Sequence, residues 1–297
     1  MSTSPSSTHS PAGSVAVALG LLYVVWGSTY LAMRFALEGF PPLQMAGIRF
    51  VIAGTLMLGF LLARGEKLPT LRQWGASAIT GTLLLGFGNG CVAIAQQWVA
   101  SSLAAVMVAS MPLFAAIFAG FWGSWPRPLE WAGIALGTLG VLLLNLEGDL
   151  RSSPLGAMLL LLAPLCWALG SVWGRYLPLP KGPLASATQM LCGGVLLLVA
   201  SLIHGDPLPA PGLESLLALG YLVLFGSIAG FSAYVFLLRT VSPSLATSYA
   251  YVNPAIAVLL GVWLGGEQVG MHGIFGMVAI MAAVAVIALR RERTPAR

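Results

Sequence analysis

From Gln73 to Pro126 the chain carries no Asp, Glu, Lys or Arg. A water-soluble fold cannot bury so long an uncharged, largely apolar run, whereas about 20 apolar residues at 1.5 Å per residue cross the roughly 30 Å hydrocarbon core of a bilayer. The run is too long for one crossing and suits two, joined by a tight hairpin at Gln97-Trp98-Val99-Ala100-Ser101. The rest of the chain has the same character. Of 297 residues only 8% are charged and 58% are hydrophobic, where soluble domains carry about 25% charged residues. A water-soluble fold is excluded, and no segment is left for a sizeable soluble domain.

With charges and Pro or Gly clusters taken as breaks, spans are expected near 14–36, 43–63, 74–96, 102–122, 128–146, 154–176, 184–204, 213–238, 244–264 and 270–290. The expected fold is an all-α integral membrane protein of ten transmembrane helices, with five-helix units at 14–146 and 154–290. Residues 1–13, rich in Ser, Thr and Pro, lack a basic n-region and a plausible cleavage site, so a disordered cytosolic tail is expected rather than a signal peptide. A basic cytosolic tail, 291–297, closes the chain.

Lys and Arg in short loops resist translocation and so set orientation. With the N-terminus inside, the inner loops hold Arg64, Lys67, Arg72, Arg127, Arg175, Lys181 and Arg239, and the inner tail holds Arg290, Arg291, Arg293 and Arg297. Only Arg34 and Arg151 fall outside. This asymmetry places both termini in the cytoplasm of a multi-pass inner-membrane protein. The basic residues sit singly in loops and form no stripe for nucleic acid. Cys91, Cys166 and Cys192 lie in apolar runs without metal-ligand spacing. The expected partners are the lipid bilayer and a small-molecule substrate, with no cofactor and no metal; the pattern does not bear on oligomeric state.

The two halves resemble each other. Trp26-Gly-Ser-Thr-Tyr-Leu-Ala-Met-Arg34 matches Trp167-Ala-Leu-Gly-Ser-Val-Trp-Gly-Arg175 at an offset of 141, and Ser102-Leu103-Ala104 through Pro112 matches Ser244-Leu245-Ala246 through Pro254 at 142. Order and spacing recur over most of the chain, as duplication produces. Five spans per half force the second copy to enter the membrane inverted, a device of secondary transporters that places a site near the midplane.

The stretch Ala95-Gln-Gln-Trp-Val-Ala-Ser-Ser-Leu-Ala-Ala-Val-Met-Val-Ala-Ser-Met-Pro112 and its echo Val241-Ser-Pro-Ser-Leu-Ala-Thr-Ser-Tyr-Ala-Tyr-Val-Asn-Pro254, with Gly47-Ile-Arg-Phe50 and Gly265-Gly-Glu267, resemble the EamA-type transporters of the drug/metabolite transporter superfamily. The resemblance covers roughly residues 15–290. It implies ten helices with both termini inside and export of amino acids or related metabolites. One departure is that Ser124-Trp125 stand opposite Gly266-Glu267, so the acidic residue often found after the fourth helix is missing.

Several residues are candidates for the site. Pro112 and Pro254, near the centres of the fourth and ninth spans, each remove a ladder donor and free a carbonyl a turn earlier, as a hinge or cavity-lining break would. Beside them Met107 and Met111 stand at i and i+4, and Tyr249 and Asn253 hold the matching places. Tyr and Asn are unsuited to lipid tails, so this face should line a pathway or bind helices together. Trp26 and Trp167 lie mid-span, away from the interfaces Trp prefers, where they either pack against helices or face an apolar substrate. Arg49 is the one charge well inside a span, with Gln189 as its counterpart, and contacts either a substrate carboxylate or a helix-end or lipid oxygen. Asn89, Ser110 and Tyr234 are weaker candidates on polarity. Gly86-x-x-x-Gly90 and Gly226-x-x-x-Gly230 have the spacing of close helix packing.

A multidrug antiporter dependent on a carboxylate in its first helix is disfavoured, because nothing acidic precedes Glu38. An intramembrane enzyme would need paired aspartates, a nucleophile with its base, or a His-Glu-x-x-His set, and the sequence has none of these. A channel is compatible with the residue content, but matched midplane prolines in an inverted repeat suit alternating access better.

Overall fold

The computed structural model describes residues 11–123, 125, 128–144, 146, 153–240 and 249–291. The N-terminal tail before Pro11, Ser124, Arg127, Gly148, Arg151, the Val241–Ser248 part of the second repeat motif and the last six residues lie outside this set. Among the described residues the chain is helical and no strand occurs.

Seven helices are long and apolar enough to cross a membrane: α1 Gly13–Ala36, α2 Pro42–Ala63, α3 Leu71–Ala95, α4 Ser101–Phe121, α6 Pro154–Tyr176, α7 Pro183–His204 and α8 Leu213–Leu237. Between and after them lie α5 Pro128–Leu144, α9 Tyr249–Trp263 and α10 Met271–Arg291, whose apolar stretches are shorter. Local chemistry sets many of the starts. Pro42, Pro154 and Pro183 stand in the first turns of their helices, where a missing N–H costs nothing. The third helix begins at Leu71, earlier than the expected 74. Its capping box explains this: Gln73 N donates to Thr70 Oγ1 at 3.3 Å, and Thr70 N donates to Gln73 Oε1 at 2.9 Å.

Many large apolar side chains point outward, although Phe50, Met45, Leu160 and Met190 are fully buried. Leu202, Ile203, Phe275 and Leu224 are more than half exposed, whereas alanines and glycines fill the contacts between helices. In lipid no hydrophobic gain separates inside from outside, so helices associate through close packing and polar contacts. The longest seams run between α2 and α7 and between α5 and α10. On the first seam a Cβ at Gly54 would fall 2.9 Å from the Ala187 carbonyl, so only glycine permits that approach. Hydroxyls and amides supply the polar contacts: Ser77 and Thr188 share a hydrogen bond of 2.7 Å, and Gln189 Nε2 donates to Thr80 Oγ1 at 2.9 Å. Helix α1 packs on α8 and α9, and α6 packs on α3 and α4.

Three helices contain π-helical stretches, Leu22–Trp26 in α1, Thr82–Asn89 in α3 and Leu222–Ala229 in α8. The last two begin at 82 and 222 and end at 89 and 229, both at an offset of 140. Helix α4 is broken: it runs helically over Ser101–Val108, turns at Ala109 and Ser110, and resumes at Met111 with Pro112 in its first turn.

Candidate functional site

A cavity of about 90 Å³ lies where α1, α4, α6 and α9 converge against α2, α3 and α8. Each π-helical stretch contributes to its wall: Trp26 ends the first, Asn89 ends the second and Gly226 lies within the third. Such widened turns recur at functional sites because they shift the hydrogen-bond ladder and re-aim side chains. Here Trp26 Nε1 donates to the Gly226 carbonyl at 3.0 Å, fixing α1 to α8.

Trp26 is surrounded by rings. Its centroid lies 4.8 Å from Tyr249 at 90°, 5.3 Å from Phe231 at 64° and 5.5 Å from Tyr234 at 45°, and Tyr234 meets Tyr249 edge-on at 5.7 Å. Edge-to-face contacts suit the ring quadrupoles and hold the cluster in one arrangement. Asn253, with its amide nitrogen toward the carbonyls, donates to Tyr249 O at 3.1 Å and to Tyr23 O at 3.3 Å. It therefore joins α9 to α1 while it lines the cavity.

Arg49 is 5% exposed and reaches the cavity from α2. Its Nε donates to Ser227 Oγ at 2.9 Å, its Nη1 meets Met33 Sδ at 3.7 Å, and its guanidinium carbon stands 4.9 Å from the Phe50 ring centre. No Asp, Glu, Lys or His lines the cavity among the described residues. Gln189, its counterpart in the repeat, is occupied with Thr80 and does not line the cavity.

Of the residues singled out from the sequence, Trp26, Arg49, Asn89, Met111, Trp167, Tyr249, Asn253, Pro112 and Pro254 come together on this wall. Met107, Ser110 and Tyr234 do not. Met107 is fully buried among helices, and Ser110 is spent on the break, its Oγ donating to Met107 O at 2.6 Å. Met107 and Met111 stand on either side of the turn at Ala109 and Ser110, and of the two Met111 is the one that lines the cavity. Tyr234 stands behind Trp26 and Tyr249. Tyr30, Met33 and Phe231 line the cavity without having been singled out. Tyr30 and Met33 share a face of α1 with Trp26 at helical spacing, a signal that the sequence did contain. Gly226 combines both roles: its lack of a side chain admits the Arg49 guanidinium and Thr29 to its surface.

At one end of the bundle, apart from the cavity, Glu267 in the α9–α10 loop is 7% exposed. It receives Ser101 N at 2.9 Å, Ser101 Oγ at 2.7 Å, Ser102 N at 3.0 Å and Arg34 Nη1 at 2.8 Å. Arg34 Nη1 also donates to the Gly265 carbonyl at 3.0 Å. Burial pushes the Glu267 carboxyl up, but the Ser101 and Ser102 hydrogen bonds outweigh it and hold the pKa below the ordinary carboxylate value.

Comparison with known proteins places the chain among transporters. The model of the EamA-like transporter family matches residues 14–146 and 154–289. The chain is 50% identical over 282 residues to the uncharacterized inner membrane transporter YedA of Escherichia coli (strain K12), covering 94% of this chain and 92% of that protein. It is 26% identical over 256 residues to the uncharacterized transporter YdfC of Bacillus subtilis (strain 168), covering 84% and 83%. A solved crystal structure, 21% identical, shares the fold with a TM-score of 0.67 over 94% of this chain and 99% of that one.

Proposed function

The chain belongs to the EamA-like transporter family, and from that premise we propose that it is a secondary carrier exporting small metabolites across the inner membrane by alternating access. On this reading it crosses the membrane ten times as two inverted halves of five helices, with both ends in the cytoplasm. The observation that carries the reading is the cavity itself, walled by both halves and bordered by Pro112 and Pro254, one from each. The 140-residue offset between the π-helical stretches of α3 and α8, and the pairing of α2 with α7 and α5 with α10, support a duplicated and inverted architecture.

The ends of the helices are consistent with alternate crossings. Gln44 Nε2 donates to Pro207 O at 3.0 Å, Ser215 Oγ donates to Phe35 O at 3.0 Å, and Ser101 meets Glu267. These contacts join helix ends and loops assigned to the outer face. The Trp122 and Tyr176 rings, stacked at 5.4 Å, join two assigned to the inner face. A cationic-drug antiporter is less well supported, because no described carboxylate lines the cavity. Counterflow in proteoliposomes tests the carrier reading: a panel of unlabelled metabolites trapped inside should drive transient uptake of the same labelled compound without any imposed gradient. A channel gives no counterflow, and its absence for every compound would remove the reading.

A further inference from the structure

The charge of the cavity wall identifies the kind of molecule it takes. Arg49 is buried in the membrane interior, where a charge is stable only if paired or hydrated. Its described partners, Ser227, Met33 and the Phe50 ring, are neutral, and among the described residues no carboxylate forms an ion pair with it. Arg34 shows the contrast, being paired with Glu267 at 2.8 Å. A guanidinium presents five donors in a planar fork matched to a carboxylate. Its Nη2 lies against Gly226, itself on the cavity wall. Besides Arg49 the wall carries the neutral polar side chains of Thr29, Asn89 and Asn253 and is otherwise largely apolar or aromatic, and the described lining carries no acid to receive an ammonium group.

Resting on the carrier reading above, we infer that the substrate is a small organic anion of net charge −1 with an apolar body, its carboxylate paired with Arg49 and its body against Trp26 and Trp167. The site discriminates against the zwitterion of the same skeleton. An added ammonium would be desolvated without a counter-charge, because the described lining holds no carboxylate and Arg49 would repel it. The empty site holds one positive charge and the occupied site none, so the anion removes the cost of burying Arg49 in the state that carries it across.

The experiment measures binding to the purified full-length protein by tryptophan fluorescence and thermal shift. The probes are propionate, hexanoate and 3-phenylpropionate, their 2-amino counterparts alanine, norleucine and phenylalanine, and the amines ethylamine, pentylamine and phenethylamine. At least one acid should bind ten or more times tighter than its amino acid, with its amine not binding. Arg49→Gln should weaken that acid tenfold or more, and Arg49→Lys, which keeps the charge without the fork, should fall between. Monodispersity on size exclusion shows that each variant is folded. Equal affinity for acid and amino acid, no binding by any acid, or full affinity in folded Arg49→Gln would each overturn the inference. Counterflow of an amino acid that no acid inhibits would overturn it while leaving the carrier reading intact. Acid binding without counterflow of any compound would do the reverse.

Discussion

Ser101 donates both its backbone N–H and its hydroxyl to one oxygen of Glu267, at 2.9 and 2.7 Å. The other oxygen takes Ser102 N at 3.0 Å. Glu267 thus caps the start of α4 with a carboxylate from the α9–α10 loop, where the positive end of the helix dipole favours negative charge, and Arg34 from α1 completes the contact. Helices α1, α4 and α9, tied together at this end, all contribute to the cavity wall. Glu267→Gln should therefore lower stability by about 1–3 kcal/mol, since an amide offers one acceptor where two serve charged hydrogen bonds. The shift is measured as a midpoint in detergent, and an unchanged midpoint would count against the cap.

The same contact has a pH signature. The folded pKa of Glu267 lies below its ordinary value, so the stabilisation is complete at neutral pH and is lost as pH falls through the ordinary carboxylate range to the lowered folded value. Wild type and Glu267→Gln should converge in stability as pH falls through that window and diverge again on return to neutrality. A constant difference across that range would show that the carboxylate charge is not responsible.

Met107 and Met111 now separate into different roles. Met107→Ala should cost about 2–5 kcal/mol of stability, as other large-to-small changes at buried sites do, and leave substrate affinity unchanged. Met111→Ala and Asn253→Ala should change affinity about threefold to tenfold, the range expected for one lost contact or hydrogen bond. Saturation of counterflow read beside thermal stability distinguishes them, and a reversed pattern would remove the α4 and α9 face from the site.

This pair also shows how far the sequence reaches. Seven of the expected spans were legible because length and apolarity are summed over twenty residues, and Pro112, Pro254, Trp26 and Arg49 stood out as residues costly to place in lipid. The α4 break was only half legible: Pro112 announced a disruption, but the turn falls at Ala109 and Ser110, and the spacing alone did not separate Met111 on the cavity wall from the buried Met107. The π-helical stretches have no local sequence signature, so the role of Gly226 beside Arg49 could not be separated from ordinary glycine packing. Phe231 was hidden among apolar residues, because in lipid a phenylalanine on the cavity wall and one facing the acyl chains look alike.

Orientation is tested by single cysteines in a chain lacking Cys91, Cys166 and Cys192. Lys67→Cys and Lys181→Cys, both at exposed positions, should react with an impermeant thiol reagent only from the cytoplasmic side, and Gly212→Cys only from outside. Reaction of Lys67→Cys and Gly212→Cys from the same side would end the ten-crossing inverted arrangement.

Proton coupling through an embedded carboxylate is not expected, because the described lining holds none. Glu38→Gln, Glu214→Gln and Glu267→Gln should each retain the wild-type response of transport to an imposed pH gradient. If one of them abolished that response while counterflow persisted, that residue would be the coupling site.

The central claim, that the cavity opens in turn to each side of the membrane, is tested most directly at Val108, on its wall beside the α4 break. With the three native cysteines replaced by Ala, Val108→Cys should be modified by an impermeant thiol reagent both in intact cells and in inverted vesicles, and the transported substrate should slow both reactions. Modification from one side only, or from neither, in a variant that still performs counterflow would contradict it.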